Sequence, residues 1–140
     1  MRVVSNTSPL IALSKLNKLD LLHSLFNKIV IPKTVYHEFL YNCPDKEAHY
    51  FKMACNTFIE VIVVENLSVF NRRLDLGESE VLTLALETQA DIVLLDDRKA
   101  FNEAKERAIK TASTRAILKV AEQKGLIEDY HVLIALLASK

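Results

Sequence analysis

Five short β-branched or aliphatic runs, at residues 2–5, 28–31, 58–64, 92–95 and 109–112, are separated by helical patterns. Strands that alternate with helices in this way build a parallel sheet covered on both faces. The expected architecture is α/β, a three-layer α/β/α sandwich with a central parallel sheet and right-handed crossovers. Helices are expected over 9–15, 18–26, 33–41, 46–56, 78–88, 98–107, 114–124 and 128–138. Pro32 closes the second strand, Pro44 breaks the chain after the third helix and Gly125 separates the last two. In such sheets ligands gather beyond the carboxyl ends of the strands. That rule makes Asn6, just past the first run, a candidate neighbour of Asp96 and Asp97, just past the fourth.

A chain of 140 residues, half of them hydrophobic, fits a single domain spanning 1–140 with a proper core. Two Gly and three Pro imply few long loops and no linker. The 18 acids and 18 bases balance, so no overall basic field points to nucleic acid, although a local patch is allowed. Cys43 and Cys55 form no CxxC, and His23, His37, His49 and His131 have no ligand spacing. The thiols read as reduced and buried, the compartment as cytoplasmic. No signal peptide or apolar membrane span is visible, so no membrane association is expected.

Several acids stand where apolar residues are expected. Glu78 precedes Val81 by three and Leu82 by four, which puts it on the apolar stripe of its helix. Glu80 lies about two-fifths of a turn from that stripe and is easier to solvate. Asp75 and Glu78 also have the spacing of a capping box, an ordinary role for Glu78. Glu38 follows Val35 by three and abuts Phe39, so it too borders the core, as a site acid or as the partner of a basic residue. Uncompensated buried carboxylates are costly. A divalent cation compensates such a cluster, and oxygen-only ligands favour Mg²⁺ or Mn²⁺ over zinc.

Asp96 and Asp97 precede a helix, and Asp is a favoured N-cap; one is expected to cap and the other to serve the site. Asn6, Thr7 and Ser8 are equally ordinary caps for the helix containing Pro9. Asn6 reads as a blunted ligand, a neutral ligand or a turn residue.

The segments "VVSNTSPLIALSKL", "IPKTVYHEF", "LGESEVLTLALE" and "ADIVLLDDRKAF", in that order, resemble the PIN domain. More narrowly they resemble the PIN-like group related to VapC-type toxin ribonucleases. The resemblance runs from about residue 2 to residue 130 and implies acids at the carboxyl edge of an α/β/α sandwich, holding Mg²⁺ or Mn²⁺ to hydrolyse RNA phosphodiesters. By motif, the first-strand acid falls on Asn6, the next on Glu38, the next on Glu78 with Glu80 beside it, and the last on Asp97 or Asp96. Ser8 matches the small hydroxyl position after the first acid. The implied catalytic set is Asn6, Glu38, Glu78 and Asp97. The implied metal ligands are these four with Asp96. Arg98, Lys99 and Arg115 are candidates to hold the RNA backbone, or are plain surface charges. The departure is Asn6, where active members carry Asp.

Two functions follow: a metal-dependent ribonuclease, as the toxin of a toxin–antitoxin pair with an antitoxin partner, or a catalytically weak PIN-like module that binds RNA or a protein. A phospho-receiver fits worse, because residues 3–8 hold no acid. The terminal Val132, Leu133, Ile134, Leu136 and Leu137 make a helix apolar around most of its surface. It is expected to be core or to extend a homodimer surface.

Overall fold

In the computed structural model, residues 1–139 are described. Five parallel strands are β1 (Val3–Ser5), β2 (Ile29–Pro32), β3 (Ile59–Ile62), β4 (Ile92–Leu94) and β5 (Thr111–Ala112), in the order β3-β2-β1-β4-β5. The helices among the described residues are α1 (Thr7–Lys15), α2 (Asp20–Phe26), α3 (Lys33–Tyr41), α4 (Asp45–Cys55), α5 (Leu76–Thr88), α6 (Arg98–Glu106), α7 (Thr114–Gln123) and α8 (Tyr130–Ala138). The result is the expected α/β/α sandwich. From β1 the chain steps outward through β2 to β3, then crosses to β4 and steps outward the other way to β5. The direction reverses between β1 and β4, and at such a switch point a crevice opens beyond the strand ends.

The β-branched strand residues pack under the helices: Val3, Val4, Ile29, Ile31 and Val93 are buried against Leu10, Leu13, Val35, Phe39, Val81 and Leu82. Phe39 stacks on Phe51 at 3.8 Å between ring centres and ties α3 to α4. Each buried side chain of this size is worth roughly 1.5–3 kcal/mol. With so few glycines, the chain uses other residues for left-handed helix ends. Gln89 (φ 52°) closes α5 and Ala108 (φ 58°) follows α6, while Gly125 (φ 75°) follows α7. After each, an amide reaches back to the last turn: Ala90 to Ala85, Ile109 to Ala104 and Leu126 to Ala121, all at 2.9 Å.

Four expectations need correction. α1 and α5 each begin two residues earlier than expected, at Thr7 and Leu76, because Asn6 and Asp75 take the extended N-cap position. The third strand is shorter than the expected run 58–64, and residues 63–75 join β3 to α5 without regular structure. That loop is pinned by side chains, since Ser68 N–H donates to Thr83 Oγ1 and the Asn71 and Arg72 amides donate to Glu103, each at 3.0 Å. The thiols of Cys43 and Cys55 are free but half-buried rather than buried. Finally, α8 is not core. It packs on α7, yet none of its residues is buried.

Candidate active site

β1 and β4 pair in register, with Ser5 opposite Leu94. The Asn6 amide then donates to the Leu94 carbonyl at 2.8 Å, which seats Asn6 at the strand end beside the segment leading to Asp97. Asn6 is almost fully buried and occupies the N-cap position of α1, but its side chain makes no capping bond. Its amide group therefore stays at the switch point, rather than being consumed by the helix. Thr7, next along, buries a hydroxyl oxygen that has no hydrogen-bond partner. It lies toward Glu38 and works to lower that carboxyl's pKa, without reaching full hydrogen-bond geometry.

Glu38 comes from α3, which starts directly after Pro32 at the end of β2. Its carboxyl pKa is raised, first by burial and then by the charges of Asp75 and Glu80. The close approach of α5 explains Gly77. A Cβ there would run into the Glu38 carboxylate, with Glu38 Cδ at 3.2 Å and Asp75 Oδ1 at 3.6 Å. A glycine inside a helix costs roughly 0.5–1 kcal/mol against alanine, and here it makes room for a carboxylate.

Glu78 enters through a complete capping box. Its amide donates to Asp75 Oδ1 at 2.8 Å, and its own Oε1 accepts from the Asp75 amide at 3.2 Å. Capping and a place in the site thus coexist in this residue. The Glu78 carboxyl is pushed up to about 7, first by burial, with the charges of Asp75 and Asp97 and a side-chain hydrogen bond to Asp97 adding to it. The bond from the Asp75 amide opposes that rise. Asp97 in turn caps α6, accepting from the Ala100 amide at 3.0 Å. The expected division of labour between the two aspartates was different. Asp97 both caps and faces Glu78, while Asp96 is turned to α7, accepting from the Thr114 amide and hydroxyl at 2.7 Å each.

Glu80 reverses its expected exposure. It is buried and accepts from Thr34 Oγ1 at 3.0 Å, whereas Glu78 is half-buried. Nearly the whole of α5 is enclosed, including Val81, Leu82, Thr83, Leu84 and Ala85, so a position off the main stripe still meets α3 rather than water. Ser8 is exposed on the first turn of α1. Arg98 and Lys99 are exposed at the start of α6, and Arg115 lies over the Tyr130 ring at 5.8 Å.

The sequence reading missed three contributors. Asp75 entered it only as a capping residue, yet its charge acts on both Glu38 and Glu78. Gly77 could have been found as a glycine inside an otherwise strong helix. Glu103, fully buried on α6, binds the Asn71 and Arg72 amides and pairs with Arg72 at 3.2 Å and Arg107 at 3.7 Å. Its location between Asn102 and Ala104 on a charged helix gave no sign of this.

Among the described residues, no three His, Cys, Asp or Glu side chains stand together as a ready-made metal cage. The acids form two adjoining groups, Glu78 with Asp97 and Glu38 with Glu80, and Asp75 acts on both. Their chemistry nevertheless suits a hard divalent cation. All donors are oxygens, Thr7 Oγ1 is unpartnered, and Glu78 is raised by burial and by the charges of Asp75 and Asp97, which a cation offsets.

Among the described residues, no helix is long and apolar enough to cross a membrane. No protein of curated function matches the chain. Among solved structures it is similar to a PilT N-terminus domain protein from the hyperthermophilic archaeon Sulfolobus solfataricus. That likeness has a TM-score of 0.60 at 21% identity and covers 86% of this chain and 93% of the other, which supports the fold. The sequence profile of the PIN domain matches residues 2–140, a family whose members are generally nuclease-type modules that use divalent metal ions. With the five-stranded parallel sheet in place and the profile matched over almost the whole length, this chain belongs to the PIN-domain family.

Proposed function

We propose that the chain is a metal-dependent ribonuclease that hydrolyses RNA phosphodiester bonds, as the toxin of a toxin–antitoxin pair in the cytoplasm. The observation that carries this reading is the Glu78–Asp97 pair at the switch point, where a carboxyl near pKa 7 touches a second acid. Acids that are strongly perturbed and face a second charge tend to gather at functional sites.

Glu78, Asp97 and Glu38 are the residues that would hold Mg²⁺ or Mn²⁺, with the Asn6 carbonyl oxygen as a neutral fourth donor and Asp96 as an outer acid. When bound, the cation offsets phosphate charge and makes water a better nucleophile at neutral pH. The protein's own residues do the rest. The Asp75 amide and the Ala100 amide fix the Glu78 and Asp97 carboxylates, so neither has to be ordered during the reaction. Thr34 holds Glu80, and Glu80 together with Asp75 keeps Glu38 prone to protonation. Arg98, Lys99 and Arg115 would meet the RNA backbone from the β4–β5 side, and the exposed Ser8 would meet it from the start of α1.

Asn6 supports a second reading, a PIN-like module that binds RNA or a protein with little catalysis. An amide lacks the formal charge of the family's acid, so the site holds its cation less tightly. Calorimetry with Mn²⁺, followed by incubation with a mixed RNA pool with and without Mn²⁺, separates the two. Mn²⁺-dependent cleavage lost in Glu78→Gln supports the nuclease. RNA binding without cleavage at saturating Mn²⁺ supports the second reading. We further propose that α8 joins two copies in a homodimer, with Val132 and Leu136 about half exposed on its open side.

A further inference from the structure

Beside the acids lies a hollow of about 320 Å³, at the small end of ligand pockets, roughly 300–1,000 Å³. Leu95, Asp96, Arg98, Phe101, Thr111 and Ser113 line it, together with an alanine from each of β5 and α7. It begins one residue past β4 and ends at the first turn of α7, and Asp96, next to Asp97 in the chain, forms part of its wall. We infer that this hollow is a nucleobase subsite, taking one unpaired base of a single-stranded RNA next to the phosphate held at the acids. The inference rests on the RNA reading above and deepens it.

Three observations point to a base rather than to another small ligand. Phe101 is 43% exposed although α6 has buried positions at Ala100 and Ala104 on either side of it, so its ring offers a free face to the hollow. Exposed aromatic rings beside a cationic residue are the usual platform for unpaired bases. Arg98 supplies the cation one turn earlier on the same helix, and a base stacked on Phe101 puts its phosphate within reach of it. The third observation is the open sheet edge. β5 is an outermost strand, and the Lys110 and Ala112 carbonyls accept from the amides of Val93 in β4 and of Leu95 just past it, at 2.8 and 3.0 Å. Thr111, between them, therefore turns its own N–H and C=O away from β4, toward the edge where the hollow opens. One donor beside one acceptor suits the hydrogen-bonding edge of a base. A phosphate alone would use neither the ring nor the carbonyl. Ser113 Oγ is committed to the Ala116 amide at 3.1 Å and Asp96 to Thr114, so neither competes for that role.

The chain contains no Trp, so Phe101→Trp places a single fluorophore in the hollow. The probes are a mixed-sequence single-stranded RNA of about eight nucleotides, its duplex, and an abasic strand of the same length, all in EDTA so that nothing is cut. Quenching of the Trp by the single strand, and not by the duplex or the abasic strand, is the expected result. Phe101→Ala should weaken single-strand binding about tenfold to a hundredfold by anisotropy. Arg98→Ala should lower the salt slope of binding by about 0.7. Unquenched Trp together with unchanged affinity of Phe101→Ala, while wild type binds the single strand, overturns the subsite and leaves the RNA reading standing. Equal quenching by the abasic strand also overturns it. If wild type binds none of the probes, either in EDTA or with Ca²⁺ in its place, the RNA reading fails and the subsite falls with it.

Discussion

The carboxyl groups of Glu78 and Asp97 share a hydrogen bond across the gap between α5 and α6, and this contact helps hold Glu78 up to about pKa 7. An acid whose folded pKa exceeds its unfolded one is protonated more readily in the native state. Its contribution is present below the ordinary carboxylate value and is lost as pH rises through 7. We therefore expect the melting temperature to fall between pH 4.5 and pH 7 from this group, with Glu38 acting in the same direction. Glu78→Gln keeps an acceptor for the Asp75 amide and removes the ionisation. Melts at pH 5 and pH 7.5 should show a shallower decline in Glu78→Gln. Mn²⁺ should raise the melting temperature of the wild type at pH 7.5 and leave the variant nearly unchanged. Identical pH slopes in the two proteins would remove the basis for a coupled acid pair.

Asn6→Asp restores a charge at the end of β1. The Asn6 side chain makes no capping bond, so the exchange should not alter α1. If Asn6 faces the same cation as Glu78 and Asp97, Mn²⁺ affinity should rise about tenfold, equivalent to about 1.4 kcal/mol. Calorimetric titration of both proteins checks this, and equal affinities would show that Asn6 is not at a ligand position.

Gly77→Ala should separate stability from function. Alanine is the better helix former, and the atom it strikes is the tip of a flexible glutamate rather than backbone. The melting temperature should therefore change little, while the displaced Glu38 carboxylate weakens Mn²⁺ binding and any RNA cleavage. A large loss of stability with unchanged Mn²⁺ affinity would mean that Gly77 serves packing alone.

Glu103 makes the opposite prediction. Burial raises its pKa, but the Asn71 and Arg72 amides and the Arg72 guanidinium outweigh that and leave the net value lowered. A depressed carboxyl stabilises the fold at neutral pH and loses that contribution as pH falls below the ordinary value. Glu103→Ala leaves the Asn71 and Arg72 amides without their acceptor and strips Arg72 and Arg107 of one carboxylate contact each, so the melting temperature should drop by several degrees at pH 7 and by less at pH 4. Limited proteolysis should then cut within residues 63–75, the loop that Glu103 pins.

For the α8 surface, light scattering at tens of micromolar should give the mass of a dimer. Leu136→Asp should return it to a monomer without loss of fold, because no α8 residue is buried in the single chain. A wild-type monomer at that concentration counts decisively against the dimer.

The alternation of β-branched runs with helical patterns sufficed for the α/β/α sandwich, because local periodicity and handed crossovers leave few other topologies. Asn6, Glu38, Glu78 and Asp97 were legible one by one, as polar residues at strand ends or on apolar stripes. Their grouping was not. It depends on strand order, since Asn6 and Asp97 become neighbours only because β1 pairs with β4 rather than with β3. The roles of Asp75, Gly77 and Glu103 were also decided in three dimensions. Asp75 and Gly77 matter because α3 and α5 meet there, and Glu103 because a 63–75 loop with no periodicity of its own folds back onto α6. The exposures of Glu80 and of α8 differed from expectation for the same reason. A hydrophobic stripe fixes which side of a helix faces a neighbour, while the number of neighbours is set by where the helix lies in the fold.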